Sequence, residues 1–209
     1  MASKVFPMFP LEHVLFPNAP LPLHIFEPRY RELTEKCLRG DGRFGVVLIS
    51  RGSHVGGGDS RYSVGTVARI VEAARTPDGR YLLATVGVER LRVRRWLPDD
   101  PYPRAEIDVI AEPKRVAPRA TDQRAAIELL LKRVLALWAE LGQPAPGVDA
   151  VQLDADPLRA SFEAAAMAPI GPLDAQRLIE LDDPCDRFEQ LEALLNDEVE
   201  LLQMRLAQG

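Results

Sequence analysis

Residues 9–38, FPLEHVLFPNAPLPLHIFEPRYRELTEKCL, constrain the fold more than any other part of the chain. Pro10, Pro17, Pro20 and Pro22 each fix their own φ and lack an N–H, so none belongs inside a helix. The segment before Glu27 must therefore be extended or turned. Leu21, Leu23 and Ile25 alternate with Pro22, His24 and Phe26, the period of a half-buried strand. At Pro28 the period changes. Proline suits the first helical position, and Glu27 puts negative charge at the positive end of that helix. Tyr30, Leu33, Cys37 and Leu38 follow at helical spacing. A strand ending in Phe26-Glu27-Pro28 thus turns directly into an amphipathic helix, which Gly40-Asp41-Gly42 closes.

Around this segment the first half of the chain reads as strands. Residues 4–11 predict a short strand, and the continuous apolar run FGVVLIS at 44–50 predicts a buried one. Residues 64–73, 81–88, 89–97 and 105–112 predict four more. Thr76-Pro77-Asp78-Gly79 is the hairpin turn between the first two of these, and Pro98-Asp99-Asp100-Pro101 precedes the last. Many short strands joined by turns imply a small, partly closed β-barrel. Glycines 56–58 form a surface loop. A phosphate-binding loop would need Lys followed by Ser or Thr and then a helix, whereas Asp59 and a strand follow here.

One strand carries a basic strip. Arg90, Arg92 and Arg94 alternate with Leu91, Val93 and Arg95, and Trp96 continues the arginine side. Such a strip is either a nucleic-acid platform or the solvated face of a half-buried strand, its arginine stems covering apolar surface.

A basic, proline-containing linker at 113–119 leads to a second half that is helical throughout. Ile127, Leu130, Leu131, Val134, Trp138 and Leu141 mark an amphipathic helix over 121–141, stopped by Gly142 and the loop with Pro144 and Pro146. Asp156-Pro157 and Asp183-Pro184 are N-cap and first-turn pairs that open two further helices, with a short helix over 173–181 between them. Phe188, Leu191, Leu195, Val199, Leu202 and Leu206 stripe the last helix. This stripe serves either as core or as a seam for a homo-oligomer or partner. Charge divides at the same place: residues 119–209 hold 8 basic and 17 acidic side chains, the rest 18 and 14. The expected organisation is α+β, with a β-rich subdomain at 1–118 and an α-helical subdomain at 119–209.

The 209-residue chain is 46% hydrophobic, enough for a real core, and has no apolar run of membrane-spanning length. Its N-terminus lacks the apolar centre of a signal peptide, so a cytoplasmic location is the default. Cys37 and Cys185 fit buried thiols in a reducing compartment. The net charge of −5 argues against general nucleic-acid binding. His13, His24 and His54 share no metal-binding spacing. Ser50, Ser53, Ser60, Ser63 and Ser161 lack a nucleophile-elbow context. Asp99-Asp100 and Asp182-Asp183 adjoin prolines as turn and cap residues. Nothing assembles a nucleophile, a base and an orienting group, so neither catalysis nor a cofactor is expected.

The opening segment resembles that of the Lon substrate-binding domain, the N-terminal domain of ATP-dependent Lon proteases. The resemblance rests on Pro10-Leu11, Leu15-Phe16-Pro17, Pro22-Leu23-His24-Ile25-Phe26-Glu27 and Arg29-Tyr30. In the helical half it continues through Gln176, Leu178, Ile179 and Glu180, then Arg187-Phe188, then Leu194-Leu195 with Glu198. Ile179 and Phe188 depart mildly from the family pattern. The resemblance implies a PUA-like β-barrel followed by an α-helical bundle, in a protein that looks like a stand-alone form of that domain. No P-loop motif of an ATPase and no Ser-Lys protease domain is found. The two lone cysteines also exclude the zinc-bearing domain of the cereblon branch.

The resemblance further implies binding of unfolded or extended polypeptides. The expected contact residues are Phe16 and Pro17 at the corner and Phe26, Glu27, Arg29 and Tyr30 at the strand–helix junction. The same residues also suit core and turn positions. In that case Glu27 is a helix-terminal charge paired with an arginine, and Arg29 and Tyr30 pin the helix to the barrel. The alternative role is an adaptor that docks on a separate ATP-dependent protease or another protein through the acidic helical half. RNA binding by the barrel is the third reading.

Overall fold

The computed structural model describes residues 4–51, 60–143, 147 and 151–208. The glycine loop at 56–58, with Ser53 and His54, lies outside these, as do Pro144 and Pro146. The chain is α+β, with six strands in one mixed sheet and five helices among the described residues. It divides into two compact units, Met1–Ala111 and Glu112–Gly209, so the linker residues 112–118 go with the helices.

The first unit contains β1 (Lys4–Leu11), β2 (Pro20–Ile25), α1 (Pro28–Leu38), β3 (Arg43–Arg51), β4 (Ser60–Arg75), β5 (Tyr81–Leu97) and β6 (Arg104–Val109). The strand order is β2-β5-β4-β3-β1-β6, and β6 also pairs with β5, so five strands close on themselves. Residues 81–88 and 89–97 are one strand rather than the two expected from the sequence. No turn residue separates them, and the strand changes partner instead. Its first part pairs with β2 and its second with β6, while β4 follows both. Gly87 stands at the changeover.

Two cores result. Phe6, Met8, Val47, Val67, Leu91, Val93, Ala105 and Ile107 come from all five closing strands and fill the space they enclose. Phe9, Leu11, Phe44 and Val46 point to the opposite faces of β1 and β3, where they meet Tyr30, Leu33 and Cys37 of α1. Strands covered on both faces read as continuous apolar runs, which accounts for FGVVLIS. Tyr30 stacks on Phe9 with ring centroids 4.1 Å apart. Gly42, at φ 71°, closes α1 with its N–H donating to the Cys37 carbonyl at 3.0 Å.

The second unit contains α2 (Arg119–Glu140), α3 (Pro157–Met167), α4 (Pro172–Glu180) and α5 (Pro184–Gln208). Asp156 and Asp183 cap α3 and α5, accepting from the Leu158 N–H at 3.1 Å and the Cys185 N–H at 2.8 Å. α2 and α5 run alongside in the same direction. Arg119 faces Asp186 near their starts, and the Trp138 indole donates to Glu198 at 2.9 Å further on. The stripe residues Phe188, Leu191, Leu195, Val199 and Leu202 are buried, so this part of α5 is core; Leu206 is partly buried. Arg187 is fully buried. Its guanidinium donates to the Leu178 carbonyl, the Ser161 hydroxyl and the Leu181 carbonyl, and stacks 3.9 Å from the Phe162 ring centre. It thereby satisfies carbonyls that the end of α4 would leave unpaired.

Candidate functional site

The two ends of the proline-rich segment have different fates. At the corner, the Ala19 N–H donates to the Phe16 carbonyl, with Pro17 and Asn18 between them and Asn18 at φ 65°. This is the pattern of a type II turn. The Asn18 N–H donates to the Gly87 carbonyl and the Gly87 N–H to the Ala19 carbonyl, both at 2.9 Å. The Thr66 hydroxyl donates to the Leu15 carbonyl. Phe16 is 3% exposed and Pro17 is buried. These two expected contact residues are therefore core and offer no surface to a partner. A fixed turn docked on a strand leaves its apolar side chains nowhere else to go.

At the other end, Phe26 is 51% exposed. Its ring lies edge-on to His24 at 6.1 Å. Glu27 precedes α1 without capping it through its side chain and pairs with Arg29 at 3.0 Å. Arg29 in turn lies 4.6 Å from the centre of the buried Tyr30 ring. Phe26, Glu27 and Tyr30 come together at a hollow of about 100 Å³, which Phe9 and Leu11 of β1 and residues 23–25 of β2 also line. Pockets for drug-sized ligands start at about 300 Å³, so this hollow suits a single side chain.

The strand register extends the exposed apolar surface well beyond Phe26. His24, Leu82 and Ala74 are aligned across β2, β5 and β4, and Pro22, Ala84 and Glu72 form the next outward row. All six are exposed. Pro20 pairs with the half-buried Val86 beyond them. Leu82 is 50% exposed, and Val71, at the β4 irregularity between Ile70 and Glu72, is 65% exposed. Sequence reasoning missed Leu82, Ala84 and Val71. The one signal for Leu82 and Ala84 is YLLATV at 81–86, which is apolar or uncharged on both alternations and so does not mark which side is solvent.

Among the described residues β2 is an edge strand paired only with β5. Because the Ala19 carbonyl accepts from Gly87, the alternation of strand hydrogen bonds turns Leu21, Leu23 and Ile25 toward β5 and Pro20, Pro22 and His24 toward the open edge. Two of those three outward residues have no N–H to donate. A polypeptide adding here as a further strand would lose those bonds, which is how edges resist such pairing. The surface favours contact through side chains.

The basic strip is corrected by the structure. Arg90 is 0% exposed, although the unbroken register with β4 puts it on the same side of β5 as the exposed Arg92. Arg94 and Arg95 pair with Asp108 and Glu106 of β6, and the register shifts between Val93 and Arg95. Trp96 is half-buried with Arg61 stacked 4.6 Å from its ring centre, and Arg61 also pairs with Asp99 at 3.1 Å. Cross-strand carboxylates thus pair with Arg94 and Arg95, and Arg92 remains an exposed cation of the strip. Among the described residues, no group of three or more His, Cys, Asp or Glu is placed to hold a metal. No helix among them is long and apolar enough to cross a membrane.

A closed sheet with α1 packed against it, and four further helices, define the class: a domain of one β-barrel unit and one helical unit. The sequence pattern of the ATP-dependent protease La (LON) substrate-binding domain matches residues 5–197, and the chain belongs to that family. It is 30% identical over 203 residues to Lon protease of Desulfovibrio desulfuricans, covering 93% of this chain and 22% of that protein. It is 29% identical over 205 residues to Lon protease 2 of Myxococcus xanthus, covering 96% and 24%. The chain thus spans about a quarter of the length of such relatives. Among solved structures, a Lon N-terminal domain protein from Xanthomonas campestris matches with a TM-score of 0.64 and 29% identity, over 91% of this chain and 98% of that one. The N-terminal domain of a Mycobacterium avium complex Lon protease shares the fold, with a TM-score of 0.65 at 16% identity.

Proposed function

We propose that this chain is a non-catalytic polypeptide-binding module that holds extended, apolar segments of other proteins on the outer face of β2, β5 and β4. The observation that carries this reading is the alignment of Pro22, His24, Leu82, Ala84 and Ala74 into one exposed surface beside Phe26, in a member of a substrate-binding family. A contiguous apolar surface of this kind is a mark of an interaction site. Phe26 and His24 stand between that face and the hollow lined by Tyr30, so a bulky side chain of the bound segment enters there. Glu27 and Arg29 neutralise each other and fix the junction. Association with a Lon protease belongs to the same reading, as does a cytoplasmic location, which the two free buried thiols suit.

The reading is tested by titrating isotope-labelled protein with an unstructured apolar peptide and following amide resonances. Shifts confined to residues 20–26, 71–75 and 81–86 support it. Saturable binding that leaves those residues unmoved contradicts it. An adaptor role finds support in the helical unit, which carries excess acidic charge overall and exposes Leu129, Leu173 and Met204. It predicts shifts in those helices when an intact Lon protease is added.

A further inference from the structure

The three strands that carry the apolar face have two edges, and the two are built differently. At β2, Pro20 and Pro22 remove N–H groups from the open side. The other edge belongs to β4. β3 begins at Arg43, paired with Arg69, and the Ile70 N–H donates to the Gly42 carbonyl at 2.8 Å just before it. Residues 71–75 of β4 run on past this point. Among the described residues no strand lies beside them on the side away from β5. All five are exposed.

Two separate bonds fix which backbone groups face outward. The Thr76 N–H donates to the Arg80 carbonyl at 3.0 Å, so Thr76, and by alternation Ala74 and Glu72, turn toward β5. The Gly87 N–H donates to the Ala19 carbonyl, which turns Thr85, Leu83 and Tyr81 toward β2 and leaves Ala84 and Leu82 to bond with Glu72 and Ala74. Both give the same phase. The N–H and C=O groups of Ala73 and Arg75 therefore point away from β5, and among the described residues no backbone group bonds to them there. A row of unpaired N–H and C=O groups is a template for a further strand. The irregularity at Val71 and the turn at Thr76 bound this template and keep it short.

We propose that the open edge of β4 takes an extended polypeptide as an added strand, its backbone bonded to Ala73 and Arg75. Successive side chains of a strand point to opposite faces, so every second residue of the added strand continues the outer face beside Glu72 and Ala74. Backbone pairing of this kind holds many sequences, and it disfavours proline at the bonding positions. The inference rests on the polypeptide-binding reading above and adds to it the way the chain is gripped.

The test follows amide hydrogen exchange in isotope-labelled protein, alone and with an unstructured Leu- and Phe-rich peptide. In the protein alone the Ala73 and Arg75 amides should exchange freely while those of Glu72 and Ala74 are protected. Saturating peptide should slow Ala73 and Arg75 about tenfold or more. Two further peptides, each N-methylated at one of the two alternate sets of residues, keep every side chain and lose the N–H groups of one edge. One should bind about tenfold more weakly and the other about as well as the unmodified peptide, because only one edge of an added strand faces β4. Ala73→Pro should weaken the unmodified peptide similarly without moving the melting temperature, since proline is tolerated on the open side of an edge strand. The methylated pair decides the matter without any change to the protein. Peptide that shifts the apolar face while Ala73 and Arg75 exchange as before and the methylated pair bind equally overturns strand addition and leaves the face intact. Protection of these amides in the protein alone that grows with its concentration assigns the edge to a second copy and overturns the polypeptide as its occupant. Failure of the peptide to bind anywhere overturns the polypeptide-binding reading, and strand addition with it.

Discussion

The corner at Phe16-Pro17 and the junction at Phe26-Glu27-Pro28 carry similar residues only ten positions apart, yet one is core and the other is surface. The difference lies in what each backbone docks against. The corner exchanges two hydrogen bonds with Gly87, and its Phe16 carbonyl would lie 2.2 Å from a Cβ at that glycine. Contact that close buries Phe16 and Pro17. The junction has only a strand end on one side and a helix start on the other. Its buried anchor is Tyr30, one helical turn on, which leaves Phe26 outside. An aromatic next to a proline is therefore no guide to burial until the partner of its backbone is known.

Substitutions sharpen this contrast. Phe16→Ala should cost about 3–5 kcal/mol of stability by opening a cavity in the core. Chemical denaturation measures it, and a cost near zero would remove the contrast. Gly87→Ala should cost about 1–3 kcal/mol, because the new methyl meets the Phe16 carbonyl and the corner must shift.

A third prediction concerns the buried side of α1. Burial, with Asp41 adding to it, pushes the Cys37 thiol from 9.0 up to about 12. The folded state therefore keeps this proton where the unfolded chain has released it. The thiol's contribution is complete below pH 9 and is lost as pH rises from 9 toward 12. Compared with Cys37→Ala, the unaltered protein should lose up to about 1.4 kcal/mol more for each pH unit in that window. Denaturation curves from neutral to alkaline pH decide it, and parallel pH profiles for the two proteins would contradict it. The smallest effect is expected at the junction itself. Glu27→Gln should cost no more than about 1 kcal/mol, since its pair with Arg29 is only partly buried.

Much of the fold was legible where local chemistry decides it. Pro28, Asp156-Pro157, Asp183-Pro184 and Asp78-Gly79 mark helix starts and a turn through φ and capping alone, and the structure has each of them. The closure of the sheet was less legible, because β5 changes partners without changing its residue pattern. Arg90 was misplaced for a related reason. It alternates onto the same side of β5 as Arg92, but that side is covered at Arg90 and open at Arg92, which the residue pattern does not show. Of the candidate surface, the sequence pointed to Phe26 and the junction. It did not point to Leu82, Ala84 or Val71, which become a surface only when the register brings three strands together.

The most direct test of the central claim is the affinity of the protein for an unfolded apolar polypeptide after Phe26→Ser and Leu82→Ser are combined. Fluorescence anisotropy would give the Kd and calorimetry the melting temperature. The account predicts a loss of about tenfold or more in affinity, from two exposed apolar anchors removed, with melting essentially unchanged. An unchanged Kd in a folded double variant would show that polypeptides are held elsewhere.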